Sequence, residues 1–423
     1  MIVSILAIGS RGDVQPPAAL AVALAARGHD ARLIAPEAYA GLVAGSGVDF
    51  RPISVDVHAE FRSEATRQLF GAGGNLIAYA NWLLTTATRI TQRIAPEVRD
   101  YTKGSDVIVG AGFMQSPGLA AAELWGAPLV SVWFWPGIAS EDFLCSLTGP
   151  MPLDLPKWLN RALFLAGDQI IWMLARPIVN HMRTALGLPP SGLSPDLRRA
   201  VNRGAPLLLP YSEALLPRSG EWPANVQVTG YWRLDQRSSW RPSESLKAFL
   251  DAGPPPIYVG FGSMAMENPK ATMSKVLEAV AQAKTRAVVS AGWGRLQAEN
   301  VEANICLIGD APHDWLFPRM SAVVHHAGAG TTGAALHAGK PSVVVPFILD
   351  QFFWGAQLHK RGVAPPPIPH KRLTSRKLTE AIVTAVSDPR MRANAEALSA
   401  RVRAEDGLAQ AIATIERAAA TGR

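Results

Sequence analysis

Cysteine is almost absent, with only Cys145 and Cys306 in 423 residues, far apart along the chain. Two such residues cannot staple a fold of this size, which suits a reducing compartment and excludes a disulfide scaffold. Long apolar runs are missing as well. A membrane span needs ~18 uninterrupted apolar residues, and the nearest stretch, 162–179, is broken by Asp168, Gln169 and Arg176. The basic residues are scattered, without the blocks that mark a nucleic-acid footprint, so the net charge of +7 describes a solvated surface. Low-complexity tracts and short repeats are lacking too. The chain starts on an apolar run, 2–8, with no basic leader before it, which reads as a buried strand and not a signal peptide. What is present is apolar: 48% of the residues, enough for a core in each of two or three domains. The expectation is a soluble, cytoplasmic protein that does not bind nucleic acid.

Short apolar runs alternate with amphipathic segments. Strands are expected at 2–8, 31–35, 107–110 and 129–132, and a helix opened by proline at 17–27. Strands separated by helices imply βαβ units and a parallel sheet. Longer helical stretches at 61–99 and 157–186 carry Trp82, Leu83, Leu84, Trp158, Phe164, Ile170, Ile171 and Trp172, either as core or as the wall of an apolar pocket. Turn and breaker residues then thicken at 215–220, 231–242 and 253–256, as they do between domains. The pattern restarts with strands at 257–261, 287–290, 305–308, 322–324 and 342–345 and helices at 270–284 and 331–337. This divides the chain into an α/β domain over 1–215, a linker over 216–253, a second α/β domain over 254–395 and a last helical segment over 396–423.

In open α/β sheets ligands sit beyond the carboxyl ends of the strands. Three places qualify: Gly9-Ser10-Arg11-Gly12-Asp13-Val14-Gln15-Pro16, Gly260-Phe261-Gly262-Ser263-Met264, and His325-His326-Ala327-Gly328-Ala329-Gly330-Thr331-Thr332-Gly333. The third has the makings of an anion site. Its glycines let backbone N–H groups approach a phosphate, the helix beginning there adds its positive end, and Thr331, Thr332 and His326 supply side-chain donors. No Lys-Ser/Thr pair follows, so it is not a Walker loop, and the first turn lacks the G-x-G-x-x-G of a dinucleotide dehydrogenase.

The segment 325–339, continued by Lys340-Pro341-Ser342-Val343-Val344-Val345-Pro346-Phe347-Ile348-Leu349-Asp350-Gln351, resembles the donor-binding signature of the family 1 glycosyltransferases of the GT-B fold. The opening Gly-Ser-Arg-Gly-Asp-Val-Gln-Pro and Pro312-His313-Asp314-Trp315-Leu316-Phe317 look most like the sterol and lipid glucosyltransferase branch, with the antibiotic glycosyltransferases as near relatives. The resemblance implies two facing Rossmann-like domains with parallel sheets and a C-terminal helix crossing back to the first.

It also implies site roles. His326 with Gly328, Ala329, Gly330, Thr331 and Thr332 would hold the diphosphate, Gly262 and Ser263 would approach it from the neighbouring loop, and Ser10 and Arg11 from the other domain. The base would lie against Ala311 with Trp293 nearby. Asp350 and Gln351, which as residue types suit a polar turn equally well, would bind the donor sugar. Trp82, Phe113 and Trp133 would line the acceptor side. The plant members differ in that the Trp stacking on the base corresponds here to Asp310, the ribose-binding Glu to Ala334, the catalytic His to Asp13, and the acid orienting it to the neighbourhood of Gly110. An Asp base has no tautomer to fix and needs no such partner. Asp13 has a structural reading too, as the cap of a helix beginning near Pro16 or Pro17.

The implied activity is inverting, metal-independent transfer of a sugar from a nucleotide sugar, with UDP-glucose favoured as co-substrate and no resident cofactor, to a lipophilic alcohol. No Asp-x-Asp motif is present, so the helix N-terminus, His326 and Arg11 would meet the diphosphate charge. Peripheral contact with a membrane would suit such an acceptor. The rival readings are a rhamnosyltransferase or nucleotide-sugar epimerase of the same fold, or a non-catalytic partner of another transferase.

Overall fold

A computed structural model describes residues 1–63, 66, 82–143, 155–235, 240–262, 264, 268–290 and 302–422. Ser263, Trp293 and Cys145 lie outside them.

The first sheet has seven parallel strands in the order β3-β2-β1-β4-β5-β6-β7. They are β1 (Ile2–Leu6), β2 (Asp30–Pro36), β3 (Asp49–Ile53), β4 (Val107–Ala111), β5 (Leu129–Val132), β6 (Leu207–Leu209) and β7 (Val226–Val228). Residues Val3 to Leu6 of β1 are all buried, because a parallel sheet is covered on both faces and its strands read as apolar runs. Val3 and Ile5 pack toward α1 (Arg11–Ala26), and Leu6 packs toward α3 (Thr88–Thr102) and α4 (Gln115–Trp125), with a short α2 (Val57–Arg62) before them.

The run 157–186 forms one helix, α5 (Lys157–Ala185), and α6 (Asp196–Asn202) follows. By length and composition alone α5 could cross a membrane. It packs on α3 and α4 along one side and leaves Trp158, Ile170 and Met173 exposed along the other.

The second sheet has five parallel strands in the order β10-β9-β8-β11-β12: β8 (Ile257–Gly260), β9 (Ala287–Ser290), β10 (Ile305–Ile308), β11 (Val323–His325) and β12 (Ser342–Val344). Its helices are α7 (Glu244–Asp251), α8 (Pro269–Gln282), α9 (His313–Leu316), α10 (Ala329–His337), α11 (Asp350–Lys360), α12 (Ser375–Ser387) and α13 (Pro389–Arg403). The last helix, α14 (Gly407–Thr421), packs on α1, β4 and β5 of the first domain. Both sheets reverse their winding direction beside their first strand, so the two topological switch points lie after β1/β4 and after β8/β11.

Several boundaries differ from the sequence reading, and the cut expected at 395/396 falls inside α13, which packs on α10 of the second domain. β7 falls inside the stretch assigned to the linker and pairs in parallel with β6, because a three-residue strand gives almost no periodicity to read. The first helix begins at Arg11 and carries Pro16 and Pro17 inside it. Their missing N–H groups leave the carbonyls of Gly12 and Asp13 without helical partners.

Candidate active site

A cavity of about 640 Å³ lies between the domains, and the turns after β1, β4, β8 and β11 all open on it. That is the size of a small-molecule site.

The turn after β1 is built around Asp13. Its Oδ2 accepts from the Ser10 N–H at 2.7 Å and from the Ser10 hydroxyl at 2.8 Å, while its own N–H donates to the Ser10 carbonyl at 2.9 Å. This ties the first turn of α1 as a cap does. No described hydrogen bond uses Oδ1. Gly9 makes the arrangement possible: its φ is +124°, and a Cβ there would stand 2.6 Å from Asp13 Oδ2. Burial raises the Asp13 pKa above the ordinary carboxylate value, against the pull of the two Ser10 bonds. The position matched to an orienting acid, Gly110, has no room for one, since a Cβ there would meet the Gln115 Cα and Met114 carbonyl at 2.9 Å.

Across the cavity, α10 starts at a turn shaped by Ala327, whose φ of +64° is unusual without glycine. Gly328 is the N-cap, and the first N–H groups of α10 have no partner within the helix. The His326 ring is wedged between two glycines. A Cβ on Gly328 would reach its Nε2 at 2.5 Å, and one on Gly262 would reach its Cε1 at 3.0 Å. Burial pushes the His326 pKa down to about 4, and its Nδ1 is buried without a hydrogen bond among the described residues. His326 is therefore neutral at pH 7 and offers an N–H dipole, not the positive charge expected of it. Thr331, Gly330 and Ala329 line the cavity. Thr332 does not; it is fully buried in the body of the domain, so the two threonine hydroxyls do not converge on one anion.

Asp350 opens α11 immediately after Leu349, another residue with positive φ, at +50°. Burial first, and then the nearby charge of Asp13, raise its pKa to about 7. Gln351 lines the same cavity but its amide is largely occupied. Its Oε1 accepts from the Phe347 and Ile348 N–H groups at 2.8 and 3.3 Å, and its Nε2 points to Met264 Sδ at 3.2 Å. Arg11 also has an employment the sequence did not reveal: its Nη1 lies 3.6 Å from Asp310 Oδ2 across the cleft, and its Nε donates to Gln15 Oε1 at 3.0 Å. Ala311 and Ala334 both line the cavity, as do Tyr258 and His313. His313 stacks on Phe317 at 4.2 Å, and burial lowers its pKa to about 3.

The remaining wall is apolar and belongs to the first domain. Trp82 and Phe113 lie 6.3 Å apart, Trp133 meets Trp135 edge-on at 4.7 Å, and Phe164, Ile171 and Trp172 project from α5 into the same space. Trp158 and Ile170 of that helix face outward; the side chains of Leu83 and Leu84 lie outside the described ones. Gln115 and Ser116 were not anticipated. The signal was available, because they follow β4 at the switch point, where Gly112 takes a φ of +53°.

Residues 3–130 match the glycosyltransferase family 28 N-terminal domain, and residues 274–415 match the erythromycin biosynthesis protein CIII-like C-terminal domain. The chain is 34% identical over 424 residues to O-mycaminosyltylonolide 6-deoxyallosyltransferase of Streptomyces fradiae, covering 100% of this chain and 98% of that one. It is 32% identical over 422 residues to a sterol 3-beta-glucosyltransferase of Arabidopsis thaliana, covering 98% of this chain and 68% of that one. Among solved structures it resembles the glycotransferase of kitacinnamycin, with a TM-score of 0.71 at 19% identity over 99% of this chain and 98% of that one. Glycosyltransferase VinC, solved in complex with DTDP, gives a TM-score of 0.67 at 17% identity, with full coverage of both chains. The chain belongs to the nucleotide-sugar-dependent glycosyltransferases of the GT-B fold, in the family that includes sterol glucosyltransferases and antibiotic glycosyltransferases.

Proposed function

We propose that the enzyme transfers glucose, with inversion, from UDP-glucose to a hydroxyl of a lipophilic acceptor such as a sterol or a polyketide. The observation that carries this reading is the division of one cavity into two chemistries. The N-terminus of α10 with His326 and Thr331 faces it from one domain, and Asp13 and an aromatic, aliphatic wall face it from the other. The relatives support the acceptor class, since one is named for a sterol and another for O-mycaminosyltylonolide.

In this mechanism the acceptor hydroxyl gives its proton to Asp13 Oδ1 as its oxygen bonds to the anomeric carbon. The bond from that carbon to the diphosphate oxygen breaks on the opposite face, and the nucleoside diphosphate leaves with the electron pair. Its growing charge is met by the unpartnered N–H groups of α10, the Thr331 hydroxyl and the neutral His326 N–H. A raised Asp13 pKa makes the carboxylate a better proton acceptor than an exposed Asp. Asp350 hydrogen-bonds the donor sugar in this reading, which its position in the cavity and a pKa of about 7, allowing it to donate as well as accept, support. Gln351 supports this by holding the Phe347–Ile348 backbone.

The same reading includes a peripheral contact with lipid, for which the exposed Trp158, Ile170 and Met173 of α5 are the support. Binding to phosphatidylcholine vesicles that is unchanged by Ile170→Glu with Met173→Glu would remove that part. The central assay is intact-mass detection of product with UDP-glucose and dTDP-glucose crossed against sterol, polyketide and small polar alcohols. Mass gain on the lipophilic alcohols with UDP-glucose is the expected result. Turnover of the nucleotide sugar without any acceptor would favour the epimerase reading instead.

A further inference from the structure

Asp168, Gln169 and Arg176 interrupt the apolar run of α5, and the fold explains only two of them. Arg176 Nε donates to the Ser191 carbonyl at 2.9 Å. Gln169 Nε2 donates to the Leu193 carbonyl at 2.9 Å, and its Oε1 accepts from Arg198 Nη2 at 2.9 Å. Both therefore lace the segment before α6 onto α5. Asp168 adds only a long ion pair with Arg198 to this lacing. It lines the cavity among Phe164, Ile171, Trp172 and Ala175 of the same helix. Its described partner is Arg198, whose Nη1 stands 3.9 Å from Oδ2, beyond hydrogen-bonding reach. Arg198 is held by Gln169 and balances the carboxylate charge from a distance without satisfying its lone pairs.

The Asp168 side chain stays 29% exposed, so its oxygens are open to the cavity, and partial burial pushes its pKa up to about 6 against the pull of Arg198. Apart from the ion pair with Arg198, its neighbours one helical turn away on either side, Phe164 and Trp172, are apolar. It lines the same cavity as Asp13 but from another element, α5 and not the start of α1.

We infer that Asp168 selects the acceptor: its carboxylate accepts a hydrogen bond from a second hydroxyl on the lipophilic acceptor, remote from the hydroxyl that receives the sugar. This rests on the acceptor assignment proposed above. The donor is a neutral hydroxyl and not an ammonium, because Arg198 already supplies the balancing charge. No proton or group is transferred at this position; the contact is recognition only.

The test compares wild type, Asp168→Asn and Asp168→Leu on a monohydroxy sterol and a series of dihydroxy sterols in which the second hydroxyl moves around one skeleton. Acceptor binding is read by calorimetry without nucleotide sugar, and kcat and KM with it. Wild type is expected to favour at least one diol by about 10- to 100-fold, the ratio that a hydrogen bond to a charged group supports. In Asp168→Leu that preference disappears through the KM of the diol, the monohydroxy sterol is handled as well as before, and nucleotide affinity is unchanged. Asp168→Asn, which keeps an acceptor oxygen, retains part of the preference. A diol preference that survives in Asp168→Leu, equal losses on both acceptor types, or a preference for an amino sterol over every diol would overturn the inference. Because the binding ratio needs no turnover, failure here is distinguishable from failure of the proposed reaction.

Discussion

Asp13 uses its two oxygens differently. Oδ2 ties the start of α1 to Ser10, and no described hydrogen bond uses Oδ1. The cap read from the sequence is displaced: α1 begins at Arg11 with Ser10 as its N-cap, and Asp13 is the third residue of the helix, closing a capping box with Ser10. Gly9 guards this turn. Gly9→Ala places a Cβ against Oδ2 at a φ of +124° and is expected to destabilise the fold by about 1–3 kcal/mol and to reduce kcat. Thermal melting and steady-state rates on one preparation check this; an unchanged melting temperature and rate would mean that the turn relaxes freely.

In the turn before α10 the glycines were legible from the sequence, because a strand-to-helix turn uses them, whereas a role for His326 at the diphosphate is what the resemblance implies. The separate fates of Thr331 and Thr332 were not legible. They follow from where α10 begins, which turns successive side chains by about 100°. His326→Ala and Thr331→Ala should each weaken nucleoside diphosphate binding by about 1.5–3 kcal/mol, whereas Thr332→Val, buried away from the cavity, should leave it unchanged. Isothermal titration with UDP distinguishes the three. Equal losses at 331 and 332 would contradict this orientation of α10.

At the scale of elements, β1, β2, β4, β5, β8, β9, β11 and β12 were visible because parallel strands covered on both faces read as apolar runs, and β10 was visible from its apolar residues although it lies at a sheet edge with Leu307 exposed. β3, β6 and β7 escaped: β3 is half-exposed and carries Asp49, Arg51 and Pro52, and the other two have three residues each. The α10 turn carries strain that no sequence pattern announces. Ala327 sits at a left-handed φ directly before the N-cap. Ala327→Gly should therefore hold or raise the melting temperature, since relief of about 1–2 kcal/mol offsets the lost methyl contact. Gly328→Ala has the opposite expectation. A methyl 2.5 Å from His326 Nε2 must displace the imidazole, and nucleotide affinity should fall. Melting curves and UDP titrations of the pair check both, and a lower melting temperature for Ala327→Gly would show that the turn is not strained.

Over the whole molecule, the two domains meet through charges as well as through α14. Asp350 on the second domain feels Asp13 on the first, and its pKa is raised to about 7 mainly by burial. A carboxylate whose folded pKa lies above its unfolded value stabilises the fold below the unfolded pKa, near 4, and loses that contribution as pH rises through the folded one, near 7. Asp350→Asn should therefore gain melting temperature relative to wild type between pH 5 and pH 8; a difference that shrinks over that range would contradict the assigned burial.

The two-domain plan was readable from strand and helix alternation. The facing of the two domains across one cavity came only with the resemblance to the GT-B fold and not from periodicity, because it depends on how the sheets pack against each other. Asp13→Asn tests that arrangement most directly. Asn keeps the shape and an acceptor oxygen for Ser10, but it cannot take the acceptor proton. With melting temperature and UDP affinity held near wild type, kcat on a lipophilic alcohol should fall by about 10²- to 10⁴-fold. A folded, UDP-binding Asp13→Asn enzyme that turns over at the wild-type rate would contradict a catalytic Asp13.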